Sequence, residues 1–204
     1  MSATPEVCVL DFGMGNLRNV CRALERAGAK PDVSQDPTRV LTADRLVFPG
    51  VGSCADTLRS IRAHGLDQAL CERIAAARPS LGICVGMQVL LETSQEGRPE
   101  RGLGVIAGRV ERFPDDLDLA VPHMGWNHVE LTRPHPVLRA GYFYFVHGYR
   151  PVGVPSDLVL ATTEYGSPFA SAIGRDAVAA VQFHPEKSQT EGLGLFLRFL
   201  RWCP

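Results

Sequence analysis

The chain has six cysteines, at positions 8, 21, 54, 71, 84 and 203, but no CxxC pair. That scatter argues against a structural zinc site, which usually has closely spaced ligand pairs, and against a disulfide framework. A reducing cytoplasm is the expected setting, where most of these thiols are simply small buried hydrophobes. Clustered basic charge is also missing. The 21 basic and 22 acidic residues leave a net charge of -1, so neither nucleic acid nor an anionic membrane surface is an expected partner. No run approaches the roughly 20 apolar residues that span a bilayer. The polar stretch Met1 to Glu6 leads straight into a short apolar run ending at Asp11, so no secretory leader is expected. Repeats, low-complexity tracts and linkers are absent too. A single domain over 1–204 is therefore expected, and with 45% hydrophobic and 21% charged residues it should be folded around a sizeable core.

What is present is alternation. Val7 to Asp11 suits a strand buried on both faces. Asn16 is placed to cap a helix whose apolar face is Leu17, Val20, Cys21, Leu24 and Ala27, with Gly28 as its stop. Arg45 to Phe48 predicts a second strand, followed by the turn Pro49 to Gly52. Helical patterns run from Cys54 to Arg78 with a break at Gly65; Ser80 to Ile83 predicts a third strand, and Val85 to Thr93 a further helix. The second half predicts short strands over 105–113, 126–131, 142–149, 158–165, 169–173 and 177–183, then an amphipathic helix from about Thr190 to Trp202. The fold class is α/β: an open, mostly parallel, flavodoxin-like sheet with helices on both faces and an added β-rich portion. Ligands of such sheets gather at the carboxyl ends of the strands, where 12–15, 49–52 and Cys84 all fall.

Three of those segments carry chemistry. Gly82-Ile83-Cys84-Val85-Gly86 has the G-x-S-x-G pattern of a nucleophile elbow with cysteine in the serine position. The sharp turn lifts the nucleophile out of the sheet, and the free N–H groups of the helix starting at Val85 favour thiolate. About a hundred residues on, Phe183-His184-Pro185-Glu186 ends a strand. His184 can move the thiol proton, and on an extended backbone Glu186 lies on its side of the chain and fixes the imidazole's tautomer. Around Pro49-Gly50-Val51-Gly52 the backbone N–H of Val51, with that of Val85, can serve an oxyanion. Phe12 to Asn16 is a weak phosphate loop, lacking the third glycine of a dinucleotide fingerprint and the lysine of a P-loop. Nucleophile, base, orienting carboxylate and anion-binding turn together compose a thiol acyl-transfer site.

With Leu81 to Gln88, Pro49 to Gly52 and His184-Pro185-Glu186, the chain resembles the triad-type (class I) glutamine amidotransferases. Asp11 to Leu17, Pro122 to Asn127, Phe145-Val146-His147 with Tyr149, and His184 to Gln189 are similar to one branch of it. That branch is the glutaminase subunits of imidazole glycerol phosphate synthase, of histidine biosynthesis, and the resemblance covers essentially the whole chain. It implies catalysis by Cys84, His184 and Glu186 through a glutamyl thioester, and an oxyanion hole at Val51, Gly52 and Val85. It implies glutamine contacts or pocket positions at Gly50, Gly52, Gln88, Glu92, His147 and Gly148. The serine expected after His147 is glycine here, so a hydroxyl contact is lost. The implied partner is a (β/α)8-barrel cyclase, met at a seam holding Asn16, Met124, Trp126, Asn127 and Lys187; neither a cofactor nor a metal is implied. Rival readings are glutaminases feeding vitamin B6, anthranilate or nucleotide synthesis, a non-catalytic interaction protein on the same scaffold, and a cysteine peptidase or chaperone-like protein.

Overall fold

The computed structural model describes residues 5–13, 16–50, 52–116 and 118–204. The first apolar run becomes β1 (Glu6–Leu10), buried in four of its five positions. α1 (Leu17–Arg26) follows and buries Val20 and Leu24. Asn16 stands at its N-cap, but its side chain makes no capping hydrogen bond, contrary to expectation. The other end closes as expected. Gly28 takes φ +89°, its N–H reaches Glu25 C=O and the Ala29 N–H reaches Leu24 C=O.

The next two elements have no periodic apolar signal. β2 (Lys30–Ser34) is a half-exposed edge strand, and α2 (Pro37–Thr42) is a short helix capped by Asp36, which accepts from Thr38 N–H at 2.8 Å. β3 (Arg45–Gly50), α3 (Cys54–Ala63), α4 (Leu66–Ala75) and β4 (Ser80–Cys84) then match the expected pattern, Gly65 breaking the helices at φ +64°. α5 is only Val85–Gln88, half the expected helix. Its continuation tightens into turns in which Leu90 N–H reaches Met87 C=O and Leu91 N–H reaches Gln88 C=O.

The second half supplies β5 (Thr93–Ser94), β6 (Glu100–Arg101), β7 (Arg109–Arg112), β8 (His123–Leu131), β9 (Gly141–His147), β10 (Tyr149–Val152), β11 (Val159–Tyr165), β12 (Ser167–Arg175) and β13 (Val178–Val181). α6 (Gln189–Arg201) ends the chain. Nine strands form one sheet in the order β2-β1-β3-β4-β13-β12-β11-β8-β9, and β10-β7-β5-β6 form a smaller one. The run β2-β1-β3-β4-β13 is parallel and has the 2-1-3-4-5 order of flavodoxin-like folds. The expected β-rich portion mostly extends this sheet, its strands β12, β11, β8 and β9 pairing antiparallel.

Right-handed crossovers dictate where the helices go. β1 to β2 moves one way along the sheet and β2 to β3 the other, so α1 and α2 lie on opposite faces. α1 then packs with α6, and α2 with α4. One arginine holds the second of these layers together. Arg73 projects from the buried face of α4 and is itself fully buried. Its guanidinium donates to Val40 C=O (2.8 Å), Ala43 C=O (2.7 Å), Asp44 C=O (3.3 Å), Pro79 C=O (2.9 Å) and Ser80 Oγ (3.0 Å). Two of those carbonyls belong to the C-terminal end of α2, where a cation also meets the negative end of the helix dipole. Burial, then the nearby Arg78, lowers its pKa to about 10, which leaves it charged at neutral pH.

Candidate active site

β3 and β4 run side by side so that Gly50 pairs with Cys84. Cys84 ends β4 with φ +54°, ψ −110°, a strained turn for a residue with a side chain, and leaves its thiol almost buried. The turn fits only because its neighbours are glycines. A β-carbon at Gly86 would lie 1.9 Å from the Phe48 carbonyl oxygen, and one at Gly50 would lie 2.7 Å from Val85 Cβ. With α5 reduced to one turn, little helix dipole reaches the sulfur. A side chain does: the Gln182 amide Nε2–H donates to Cys84 Sγ at 3.6 Å.

His184 follows β13, its backbone N–H bonded to Tyr144 C=O at 2.9 Å. The pairing with Glu186 forms as expected, Nδ1–H donating to Oε1 at 2.8 Å with both side chains buried. The route differs: Pro185–Lys187 is a 3-10 turn rather than extended chain. Gly192 of α6 lets the helix press on that turn, since a β-carbon there would lie 1.8 Å from Pro185 C=O. Burial alone would lower the imidazole's pKa; the Cys84 sulfur and the Glu186 carboxylate outweigh it and raise it to about 10. Nε2 has no hydrogen-bond partner among the described residues, so this nitrogen is free for a reacting atom.

These groups open on a cavity of about 330 Å³. Gly52, Cys84, Val85, Gln88, His147, Gly148, His184 and Lys187 line it, as does Glu96, which the sequence reading did not single out. Glu96 stands in a polar loop and accepts from Cys54 N–H at 2.5 Å, and its pKa is raised by burial. Two expected pocket residues lie elsewhere. Gly50 is buried beneath the elbow, and Glu92 points away, accepting from Gly108 N–H at 3.0 Å in a separate groove beside Arg101 and Arg109. Val51 lies outside the described residues.

The cavity wall continues into a buried polar chain. His147 Nδ1 faces the Tyr149 carbonyl at 2.8 Å and must carry a proton. Its Nε2 then accepts from His123 Nδ1–H at 3.1 Å, and His123 Nε2 accepts from the Asn127 amide at 3.3 Å. Both rings are therefore neutral. Burial lowers the His123 pKa to about 4 and, as the leading cause, that of His147 to about 3. The unfolded chain binds protons below about pH 6.5 while the folded one does not, so this stability is full above pH 6.5 and is lost as pH falls toward 4. Between those values the unfolding free energy should fall by about 2–3 kcal/mol per pH unit from this pair. Denaturant titrations at pH 7, 6 and 5 check it, and a flat profile would refute the neutral pair.

On the opposite face of β8 and β9 the residues point outward. Met124, Trp126 and Tyr142 are about half exposed or more, Trp126 meets Tyr144 edge-on at 6.2 Å, and the Lys187 ammonium lies 5.7 Å from the Tyr144 ring centre. Met124, Trp126 and Lys187 thus border one aromatic surface. Asn127 does not, because strand alternation turns it inward to His123 and Glu164 C=O. Asn16 sits half-buried at the start of α1. Among the described residues no helix is long and apolar enough to cross a membrane, and no group of three or more His, Cys, Asp or Glu is placed to hold a metal.

A thiol at a strained elbow, a carboxylate-braced histidine and a small cavity at the carboxyl ends of parallel strands define a cysteine-dependent acyl-transfer enzyme. The sequence profile of the class-I glutamine amidotransferases matches residues 8–201. The chain is 49% identical to the imidazole glycerol phosphate synthase subunit HisH of Nitrosococcus oceani, covering 96% of this chain and 97% of that one. It is 47% identical to the HisH subunit of Methylococcus capsulatus, covering 97% of each. Among solved structures it is similar to PurLQS from Thermotoga maritima (TM-score 0.76, 16% identity, 98% of this chain and 99% of that one). A glutamine amidotransferase crystal structure matches with TM-score 0.75 and 23% identity, over 96% and 99% of the two chains. The chain belongs to the class-I glutamine amidotransferases and, within them, to the family of HisH subunits of imidazole glycerol phosphate synthase. A subunit of a synthase has a partner subunit.

Proposed function

We propose that this chain, acting as one domain, hydrolyses glutamine to glutamate and ammonia. The ammonia passes to a cyclase partner of (β/α)8-barrel fold, which makes imidazole glycerol phosphate and the aminoimidazole carboxamide ribonucleotide in histidine biosynthesis. The observation that carries the reading is the buried His184–Glu186 pair at 2.8 Å beside the Cys84 cavity, with His184 Nε2 left unpartnered. The Cys84 thiolate attacks the side-chain amide carbon of glutamine. The new oxyanion is met by the N–H of Val85, which as the first residue of α5 has no intrahelical partner, and, on the sequence resemblance, by backbone N–H groups of Val51 and Gly52. His184 Nε2–H gives its proton to the amide nitrogen as the C–N bond breaks, ammonia leaves, and a glutamyl thioester remains. Water then attacks the thioester, His184 takes its proton, and glutamate and thiolate separate.

Met124, Trp126 and Lys187 are the proposed partner contacts, since a half-exposed aromatic surface beside the cavity is what a docking subunit would cover. Gln88, Glu96, His147 and Gly148 form the proposed glutamine pocket. At Gly148 a β-carbon would meet only Val121 Cγ1, at 3.7 Å, so a serine fits. Gly148→Ser should lower KM for glutamine by about two- to tenfold, the range of one neutral hydrogen bond, with kcat and Tm unchanged. An unchanged KM would mean that this position does not touch the substrate.

The deciding experiment measures glutamate formed from glutamine by the chain alone, then with the barrel partner and its nucleotide ligand, with Cys84→Ala in parallel. Low activity alone, a strong rise in the complex and none in the variant support both the chemistry and gating by the partner. High activity in the free chain would end the gating. Activity that survives Cys84→Ala would end the triad assignment.

A further inference from the structure

We propose that Gln182 is a further catalytic residue, whose side-chain amide donates a hydrogen bond to the Cys84 sulfur and steadies it as the attacking anion. Gln182 follows β13 directly, is fully buried, and lies 3.6 Å from Sγ through Nε2. An amide can present either end, but the surroundings choose one. The Tyr149 carbonyl accepts and cannot donate, so the group that Gln88 turns toward it, at 3.4 Å, is its NH2. The same NH2 lies 3.1 Å from Gln182, which must answer with its carbonyl oxygen Oε1. Nε2 is then left facing the sulfur. Reversing the amide would place two NH2 groups together and a carbonyl lone pair against a thiolate.

The need for such a donor follows from the elbow. A one-turn α5 gives the sulfur little dipole, and Cys84 is almost buried, where an anion needs hydrogen-bond donors as well as the charge of His184. A hydrogen bond to a charged acceptor is about twice as strong as one to a neutral acceptor, so the contact favours thiolate over thiol. The backbone of Gln182 is held by its N–H to Ser171 C=O at 2.9 Å, so the donor is fixed in advance of the reaction.

The proposal rests on Cys84 as nucleophile, yet its test needs no glutamine. Full-length Gln182→Met and Gln182→Glu chains are compared with the parent by the rate at which iodoacetamide alkylates Cys84, followed by mass spectrometry of the Cys84 peptide from pH 5 to 10. Gln182→Met keeps the volume and removes the donor; Gln182→Glu keeps the shape and replaces the donor with an acceptor. For Gln182→Met, alkylation at pH 7 should slow roughly tenfold, with the half-maximal pH moved up by about one unit. Gln182→Glu should move it further, and in glutamine turnover kcat should fall while KM changes little. Profiles that superimpose on the parent's, whatever happens to Tm, would reduce Gln182 to packing and overturn the proposal. A shifted profile in a chain without glutaminase activity would uphold the sulfur contact while the glutaminase reading failed.

Discussion

Replacing His184 by asparagine is expected to slow glutamine hydrolysis by roughly three to four orders of magnitude while leaving the chain folded. Asparagine can still donate to Glu186 Oε1, so the buried carboxylate keeps a partner and the 3-10 turn its shape. What disappears is the imidazole proposed to carry a proton between sulfur, departing nitrogen and attacking water. General acid–base catalysis of that kind contributes about a hundred- to ten-thousandfold, and here one ring serves both half-reactions. In the parent chain the imidazole, raised to about 10, stays protonated through neutral pH, so the rate should fall on the alkaline side only as pH approaches 10. Glu186→Gln removes one cause of that elevation and should move the alkaline limb down. A His184→Asn chain with activity within tenfold of the parent would refute the assignment.

Arg73→Met is expected to destabilise the chain by about 3–5 kcal/mol, a fall in Tm of roughly 10 °C, with the chemistry of Cys84 untouched. Methionine fills most of the space, but five acceptors lose the guanidinium's hydrogen bonds at once, although Pro79 C=O keeps the Leu46 N–H and Ala43 C=O keeps Arg78. Four of those acceptors are backbone carbonyls, from the end of α2 and the chain entering β4, and the change leaves them without the buried guanidinium. Arg73→Lys keeps the charge and fails for a different reason: three donors on a flexible stem cannot reach acceptors arranged for a planar fork. Its loss should fall between that of methionine and the parent. Thermal unfolding of the three chains tests the order. A Tm within two degrees for Arg73→Met would mean that water replaces the guanidinium.

The parts of this molecule legible in sequence are those set by local rules. A glycine-flanked cysteine between strand and helix announces its own turn, and Gly28 and Gly65 mark stops that the chain obeys. Where tertiary contacts decide, the reading falls short. The pattern after Val85 is apolar enough for a helix to Thr93, yet α5 stops at Gln88 because the next residues turn to meet the loop at 102–106, Leu103 N–H reaching Val89 C=O. β2, with a proline and two charges in five residues, has no apolar alternation because it lies at the sheet edge. Glu92 and Glu96 cannot be told apart by type; only the loop's path decides which faces the cavity. Asn127 shares a motif with Trp126, but period-two geometry sends them to opposite faces. Gln182 stands two residues before His184 at the end of an apolar run, and a polar side chain interrupting that run was the signal the sequence offered.

The nine-stranded sheet ends in two strands, and both protect themselves. At β2 the backbone offers Pro31, which has no N–H, between the charges of Lys30 and Asp32. At β9 the outward groups of Tyr144 are already taken, its N–H by Ser188 Oγ at 3.0 Å and its C=O by the His184 N–H at 2.9 Å. An open strand edge is the usual nucleus of aggregation for a sheet protein separated from its partner. Here the loop that presents the catalytic histidine also blocks that edge. A free chain can therefore leave Trp126 and Met124 exposed to solvent without also offering a strand edge to be copied.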